Sequence, residues 1–570
     1  MEHSNNILWI IIRRMRTPFL VIIITFSITI LGLVLIPGVD NQGHTYYMSF
    51  FDAFYFVSFM ASTIGFGEVP YEFTYAQRMW VLFSIYISVI GWFYAIGTLV
   101  ALIQDQKLLT ELKISKFSKK IKSLKEPFVI ILGYNHTTKE LIHRLSQDGK
   151  RIVVIDRDQE KIDELELENF IPEVYAIQGD ITTPDILRLA GITKRNCKAI
   201  ISLFDSDFKN TKIALISKLL NKNLNIIVKS TTKEQTEHLK NLGIKNIIDP
   251  FHLVSNRFSL ALKAPNLWTI EMIIFEHNIY IHEYKPLPKG KYIICGYGRM
   301  GKALKEALDE ANTESSFIDL KSAAHKATKK STIFGDAEDY KTLIEAGVKE
   351  AKAIVAATKD DLINLTILLT ARKINPDIYT IGRENTLDDI TVFNSAKIDR
   401  VYILEEVISE HVHRLVSMPL SYLFLKELHK QDDEWGKELL ARIRKKTNYQ
   451  PEIFEIRVVK SQANALTDYL KSGNSMNLGL LARSLSNREK RAQIIFLIIK
   501  NRKEQITLIP DDNFEVKVSD RILIAATPEA KDDFISIVNN YNDFYYILTG
   551  KEYKFGIFKY LVKDEKKDEK

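Results

Sequence analysis

The sequence predicts an α-helical membrane segment of two spans with a short re-entrant helix between them, then two tandem α/β modules and a C-terminal α+β lobe. Three observations carry that expectation: two charge-free apolar runs early in the chain, a duplicated block of strand and helix patterns through its middle, and a hairpin-rich stretch near its end. At 570 residues the chain has room for about four domains. Its average composition, 46% hydrophobic and 26% charged, is ordinary for a globular protein and conceals this division.

The apolar runs are residues 19–36 and 79–103, neither of which contains an acidic or basic side chain. Each is long enough for the roughly 17–25 residues that cross a hydrocarbon core. No small-residue cleavage site follows the first, which argues against a signal peptide. Arg13, Arg14 and Arg16 precede the first run, and Lys107, Lys113, Lys116, Lys119, Lys120, Lys122 and Lys125 follow the second. Between Pro37 and Gln77 there is no Lys or Arg. This asymmetry places both termini in the cytoplasm and the intervening loop outside, in a multi-pass protein of the inner (plasma) membrane. The formal charge of +7 is concentrated beside the membrane, where each Lys gains about 1 kcal/mol from anionic lipid. It points to membrane lipid as a partner and not to nucleic acid. The two cysteines, Cys197 and Cys295, lie in apolar stretches and imply neither a disulfide framework nor a metal cluster.

Between the spans, the aromatic segment 50–62 is too short to cross and runs into "TIGFGE" at 63–68. Such re-entrant backbone is tolerated in a membrane only where it is buried in protein or lines water. A pore meets that condition and a lone hairpin does not.

With this order of span, aromatic helix, "TIGFGE" and span, residues 18–105 resemble the two-span, pore-loop potassium channels. The resemblance implies that the carbonyls of Thr63, Ile64, Gly65 and Phe66, with the Thr63 hydroxyl and the turn at Gly67, line a selectivity filter for permeant potassium. It also implies a homotetramer, because one chain supplies a quarter of each oxygen ring. Phe66 stands where the family has Tyr, Glu68 where it has Asp, and Phe59 where some relatives carry an acid. These departures predict a filter braced more by packing than by hydrogen bonds. The second span would be the inner helix, with Gly91 or Gly97 as hinge, since Ala95 stands at the family's glycine position. The alternative for those glycines is close helix packing. Leu99, Leu102 and Ile103 are candidates for an apolar gate.

After a Lys-rich linker the chain repeats itself. "EPFVIILGYNHTTKELIHRL" at 126–145 parallels "KYIICGYGRMGKALKEAL" at 291–308. Asp156 answers Asp319, "GD" at 179–180 answers 335–336, and "KAIISLFDSDFKN" at 198–210 answers "KAIVAATKDDLIN" at 352–364. Strands alternating with helical patterns specify a parallel sheet. The second copy carries a dinucleotide-binding fingerprint: Gly296 for the tight turn, Gly298 for approach to a pyrophosphate, Gly301 for close helix packing, and Asp319 for the ribose hydroxyls. Arg299, Met300 and Asp336 fall within the same predicted cofactor site. The carboxylate favours NAD or an adenine nucleotide such as ADP or ATP over NADP, a preference weakened by nearby Lys321. The first copy keeps Gly133, Asp156 and Asp180 but has Asn135 and Thr138 at the later glycine positions, so it reads as mainly structural.

Both copies, with the stretch 494–526, resemble the RCK (TrkA-N/TrkA-C) family, and the whole chain resembles two-span prokaryotic potassium channels with tandem RCK domains, the GsuK type. The implied division is a cytoplasmic N-terminal segment at 1–17, a pore domain at 18–105, a linker at 106–125, a first RCK domain at 126–287, a second at 288–425, a helical and TrkA-C-like lobe at 426–550, and a charged tail at 551–570. It implies a non-enzymatic, ligand-gated channel whose nucleotide effector acts on a ring of eight RCK modules. Asp205, Asp207, Asp360 and Asp361 are candidate calcium ligands, with solvated strand ends as the alternative. His411 and His413 are expected at the surface, and no catalytic histidine pattern is evident. A membrane-tethered NAD-dependent oxidoreductase and a non-selective cation channel remain as alternative functions.

Overall fold

The computed structural model describes residues 2–275, 286–320, 332–385, 390–447 and 451–551. Lys321 and the tail beyond 551 lie outside the described residues. The chain divides into two compact units, one of residues 1–125 with the short stretches 175–177 and 189–191, the other of the remainder.

In the first unit, a helix Glu2–Leu35 runs without interruption through the expected N-terminal segment and the first span. A two-residue antiparallel ladder, β1 Gly38–Val39 with β2 Thr45–Tyr46, turns the chain into the helix Phe50–Ala61. Ser49 starts that helix by accepting from the Asp52 amide. The helix Tyr75–Ile103 begins with a capping box in which Thr74 and Gln77 satisfy each other's amides. The short helix is held in a core of Ile30, Leu33, Met48, Ala53, Phe56, Val57, Phe59 and Phe73. The stretches Ile11–Leu35 and Tyr75–Ile103 are long and apolar enough to cross a membrane, and Phe19, Ile23, Phe83, Tyr86, Ile90 and Phe93 expose apolar side chains. The Lys-rich stretch is itself a helix, Gln106–Ser123, capped by Asp105, whose carboxylate also pairs with Arg14.

The first copy forms the strands β3 Phe128–Leu132, β4 Arg151–Asp156, β5 Tyr175–Gln178, β6 Cys197–Ser202, β7 Asn225–Lys229 and β8 Asn246–Ile248. Their spatial order is β5-β4-β3-β6-β7-β8. The second copy repeats it with β9 Tyr292–Cys295, β10 Ser315–Asp319, β11 Thr332–Phe334, β12 Ala353–Ala356, β13 Tyr379–Glu384 and β14 Arg400–Ile403, in the order β11-β10-β9-β12-β13-β14. Reversal of strand order beside β3 and beside β9 creates a switch point at the carboxyl edge of each sheet, the usual place for a ligand in this architecture. The lobe is antiparallel: β15 Glu452–Arg457, β16 Ile494–Lys500, β17 Ile506–Leu508 and β18 Arg521–Ala526, in the order β15-β18-β16-β17.

The copies exchange helices. Pro250–Lys263, which leaves the first sheet, packs through Phe251, Val254 and Phe258 into the core formed by Tyr292, Ile294 and Leu304 of the second. Ser255 donates to the Ala303 carbonyl at 2.7 Å. Reciprocally, Leu404–Ser417 leaves the second sheet and reaches the first copy, where His413 Nε2 lies 2.7 Å from the Asp148 carboxylate. The expected boundary at 287 is therefore not a boundary of packing. The exchange also corrects the expectation for the two histidines. His413 is buried in this junction, and burial holds His411 down to about 4, in its neutral form.

Arg257 sits at the centre of the junction, 3.3 Å from Glu271 and 3.5 Å from Glu410, all three buried. Removing the cation leaves two buried carboxylates with a poorer balance, at a cost of roughly 3 kcal/mol. Arg257→Met is expected to lower the urea midpoint of the full-length protein accordingly.

Candidate functional site

The loop after the short helix has an alternating backbone. Thr63, Gly65 and Gly67 have φ of 63°, 65° and 107°, while Ile64 and Phe66 between them stay at negative φ. Alternation of sign turns successive carbonyls toward one side. The amides on the near side are spent: Thr63 donates to Met60 at 3.1 Å, and Ile64 and Gly65 donate to Phe59 at 2.9 and 3.4 Å. Glycine takes positive φ at little cost, whereas the β-branched Thr63 pays about 1–3 kcal/mol, strain of the kind found at functional sites.

Packing braces this loop as expected, with the Phe66 ring 5.6 Å from that of Phe59 in an edge-to-face contact. A hydrogen-bonded brace, which the substitutions did not suggest, stands beside it. Glu68 accepts from Arg78 Nε and Nη2 at 2.9 and 3.0 Å and from the Phe73 amide at 2.8 Å. Arg78 reaches it from the first turn of the helix Tyr75–Ile103. Arg78→Gln is expected to hasten the decay of current during sustained recording, and exchanging the charges (Glu68→Arg with Arg78→Glu) should restore part of the lifetime. Unchanged decay in Arg78→Gln would remove this role.

On the second span, a Cβ at Gly91 would lie 2.9 Å from Thr25 Oγ1, so this glycine serves close packing of the two long helices. A Cβ at Gly97 would meet nothing within 4 Å. Leu99 and Ile103, four residues apart on one face, are exposed in the single chain, whereas Leu102 is buried with Met15 and Leu108. Leu102 is thus a packing residue and drops out of the expected gate, because Met15 of the first long helix and Leu108 of the following helix cover its side chain.

In the second unit, the switch point of the second sheet gathers Gly296, Gly298, Arg299, Gly301 and Asp319. Gly296 has φ of 98°, and a Cβ there would press on the Ala357 backbone at 3.3 Å. A Cβ at Gly301 would fall 2.1 Å from the Gly296 carbonyl oxygen, so only glycine lets the helix Arg299–Glu310 approach the strand. Gly298 caps that helix without any side-chain bond and faces open space. The first-turn amides of a helix lack intrahelical partners, so this end has the polarity an anion would need. Asp319 Oδ2 accepts from the Tyr297 amide at 2.6 Å, so this acid positions the glycine loop. Arg299 stacks 4.7 Å over the Phe251 ring, a residue of the first copy that the sequence reading did not connect to this site. Met300 is a correction: its side chain is buried in the core with Leu304 and Tyr292. Asp336 braces its own turn, accepting from the Glu338 amide at 2.9 Å.

The first copy's equivalent site is filled by its own side chains. Asn135 Oδ1 accepts from the Thr138 amide at 3.0 Å, and Thr138 Oγ1 accepts from the Asn135 amide and donates to the Gly133 carbonyl, both at 2.8 Å. Gly133 keeps φ of 86°, and Asp156 accepts from the Tyr134 amide at 2.6 Å. Asp180 is engaged by the amide and hydroxyl of Thr182 at 2.9 and 2.8 Å.

The candidate calcium ligands have local partners. Asp205 pairs with Lys229 at 2.7 Å, Asp207 accepts from the Thr231 amide at 3.0 Å, Asp360 caps a helix through the Ile363 amide at 3.0 Å, and Asp361 accepts from the Asn385 amide at 2.9 Å. Among the described residues no group of three or more metal-ligating side chains forms.

The TrkA-N domain family matches residues 129–250 and 292–404, the two six-stranded sheets. Potassium channel protein 1 of Methanocaldococcus jannaschii is 26% identical over 309 residues, 54% of this chain and 86% of that protein. An uncharacterized protein of Methanothermus fervidus is 26% identical over 267 residues, 45% of this chain and 41% of that protein, so the aligned part spans less than half of this relative. The solved structure of the GsuK channel bound to NAD is 16% identical, covers 94% of this chain and 99% of its own, and superposes with a TM-score of 0.47. The chain thus carries two TrkA-N domains in tandem, after two helices long and apolar enough to cross a membrane and a short apolar helix between them.

Proposed function

We propose that the chain is one subunit of a homotetrameric, potassium-selective channel gated by a nucleotide. The observation that carries this reading is the run of positive φ at alternate residues Thr63, Gly65 and Gly67, at the end of a short helix between two spans, a backbone that supports a column of carbonyls. Four such columns supply the oxygen cage that replaces the hydration shell of potassium. The similarity to potassium channel protein 1 of Methanocaldococcus jannaschii supports the same ion. Both termini lie in the cytoplasm, and the Lys-rich helix Gln106–Ser123 runs along anionic lipid.

The nucleotide acts as an effector at the second copy's glycine loop, with ADP, ATP and NAD as the class. A ligand moves a gate only by its differential affinity for the closed and open states. Four sites coupling by about 1 kcal/mol each sum to about 4 kcal/mol, which shifts the open-to-closed ratio roughly a thousandfold. No catalytic role and no calcium site is proposed. The test is recording from purified protein in planar bilayers, with mixed sodium and potassium and with each nucleotide added on the cytoplasmic side. Reversal at the sodium potential, or hydride transfer without current, would overturn the reading in favour of a non-selective pore or an oxidoreductase.

A further inference from the structure

The two copies set a cation at the same point, Lys229 at the end of β7 and Arg383 near the end of β13. The register fixes the equivalence, since Ala199 pairs with Asn225 and Ala353 with Tyr379, each four residues before the cation. Neighbouring residues keep the same tasks. Asn210 Nδ2 donates to the Lys229 carbonyl and Asn364 Nδ2 to the Arg383 carbonyl, both at 2.8 Å. Asp207 and Asp361 accept from the Thr231 and Asn385 amides at 3.0 and 2.9 Å.

One thing differs. Lys229 is neutralised by Asp205 at 2.7 Å, but the second copy has Lys359 at the position of Asp205. Arg383 is only 9% exposed, its Nε is buried without a hydrogen bond, and among the described residues no ion pair meets its guanidinium. The guanidinium lies 5.7 Å from the Phe251 ring, which also carries Arg299 at 4.7 Å. Burial, and then the charge of Arg299, pulls Arg383 down to about 10, against a smaller opposing effect of Asp361. A buried cation beside a second cation is costly unless an anion arrives.

We propose that Arg383 and Arg299, held on the Phe251 ring, form the seat for the terminal phosphate of a nucleoside di- or triphosphate bound at the glycine loop. This rests on the reading of Gly296, Gly298 and Gly301 as a nucleotide cradle. With the ribose at Asp319 on β10, a phosphate chain crossing the loop after β9 runs toward β12 and β13, and β13 lies two strands, about 10 Å, beyond β9. AMP and NAD carry no terminal phosphate past that point, so the seat sorts ADP and ATP from them. Phe251 comes from the first copy, as does Thr231, whose carbonyl accepts from Arg299 at 3.5 Å. The phosphate therefore draws on both copies at once.

The experiment is calorimetric titration of the full-length protein in detergent with ATP, ADP, AMP and NAD, for wild type, Arg383→Gln and Lys359→Asp. Lys359→Asp gives the second copy the acid that neutralises the first, and it decides the matter if Arg383→Gln does not fold. Both variants are expected to weaken ATP and ADP by ~10-fold or more, the usual consequence of losing a charge-assisted phosphate contact, while AMP and NAD change little. Lys359→Asp should also raise the melting temperature of the ligand-free protein. Equal losses for all four nucleotides, or unchanged ATP and ADP binding, would overturn the phosphate seat and leave the cradle standing. A wild type that binds none of the four would overturn both.

Discussion

Gly65→Ala is expected to abolish potassium flux while the tetramer still assembles. Gly65 has φ of 65°, and a Cβ there meets nothing within 4 Å in its own chain. The substitution therefore leaves the packing of the subunit intact. It acts on the backbone, because an L-residue in the left-handed region costs about 1–2 kcal/mol. Relief of that cost turns the peptide away from the alternation set by Thr63 and Gly67, and one carbonyl ring leaves the column. Four subunits suffer the change together, so conduction is lost and not merely reduced. Rubidium flux into liposomes measures it, with size-exclusion chromatography as the control for assembly. Normal flux would show that these carbonyls do not line the ion path.

Gly298→Asp is expected to weaken nucleotide binding strongly and yet leave the protein slightly more stable. Gly298 caps Arg299–Glu310 with no side-chain bond and faces open space, so an aspartate fits without a clash. Asp is a favoured N-cap and stabilises a helix start by a few tenths of a kcal/mol (about 0.3) relative to Gly. The same carboxylate occupies the amides that a phosphate needs and adds a repelling charge, so affinity falls by roughly 100-fold or more. Calorimetry and a melting curve on one preparation give both quantities. Asp156→Ala in the first copy is the contrast: Asn135 and Thr138 already fill that cradle, and nucleotide affinity should be unaffected. Loss of binding in Asp156→Ala equal to that in Gly298→Asp would reverse the ranking of the copies.

What the sequence discloses is what short-range chemistry encodes. The two spans follow from runs of uncharged residues, the short helix from the aromatic segment that ends at the glycines, and the two parallel sheets from the internal repeat. The glycine cradle is legible because its parts lie within six residues and each glycine has a separate steric reason. Contacts across long chain separations are not legible in this way. Arg78 finds Glu68 only once the loop has turned, His413 finds Asp148 across 265 residues, and Arg299 rests on Phe251 from the other copy. Met300 and Leu102 show the same limit on a smaller scale. Both sit in stretches that read as functional, and packing partners from other elements bury their side chains.

The exchanged helices Pro250–Lys263 and Leu404–Ser417 give the duplicated region the form of a swapped dimer written into one polypeptide. In a dimer of separate identical chains, every mutation would strike both halves. In a single chain the halves can differ, and here they do: one has a filled glycine cradle and a neutralised cation, and the other has neither. Neither half retains a complete surface of its own, since each relies on the other's helix to cover its sheet. Inheritance of this region is therefore all or nothing, and a transplant that cuts between the copies would carry away half of each core.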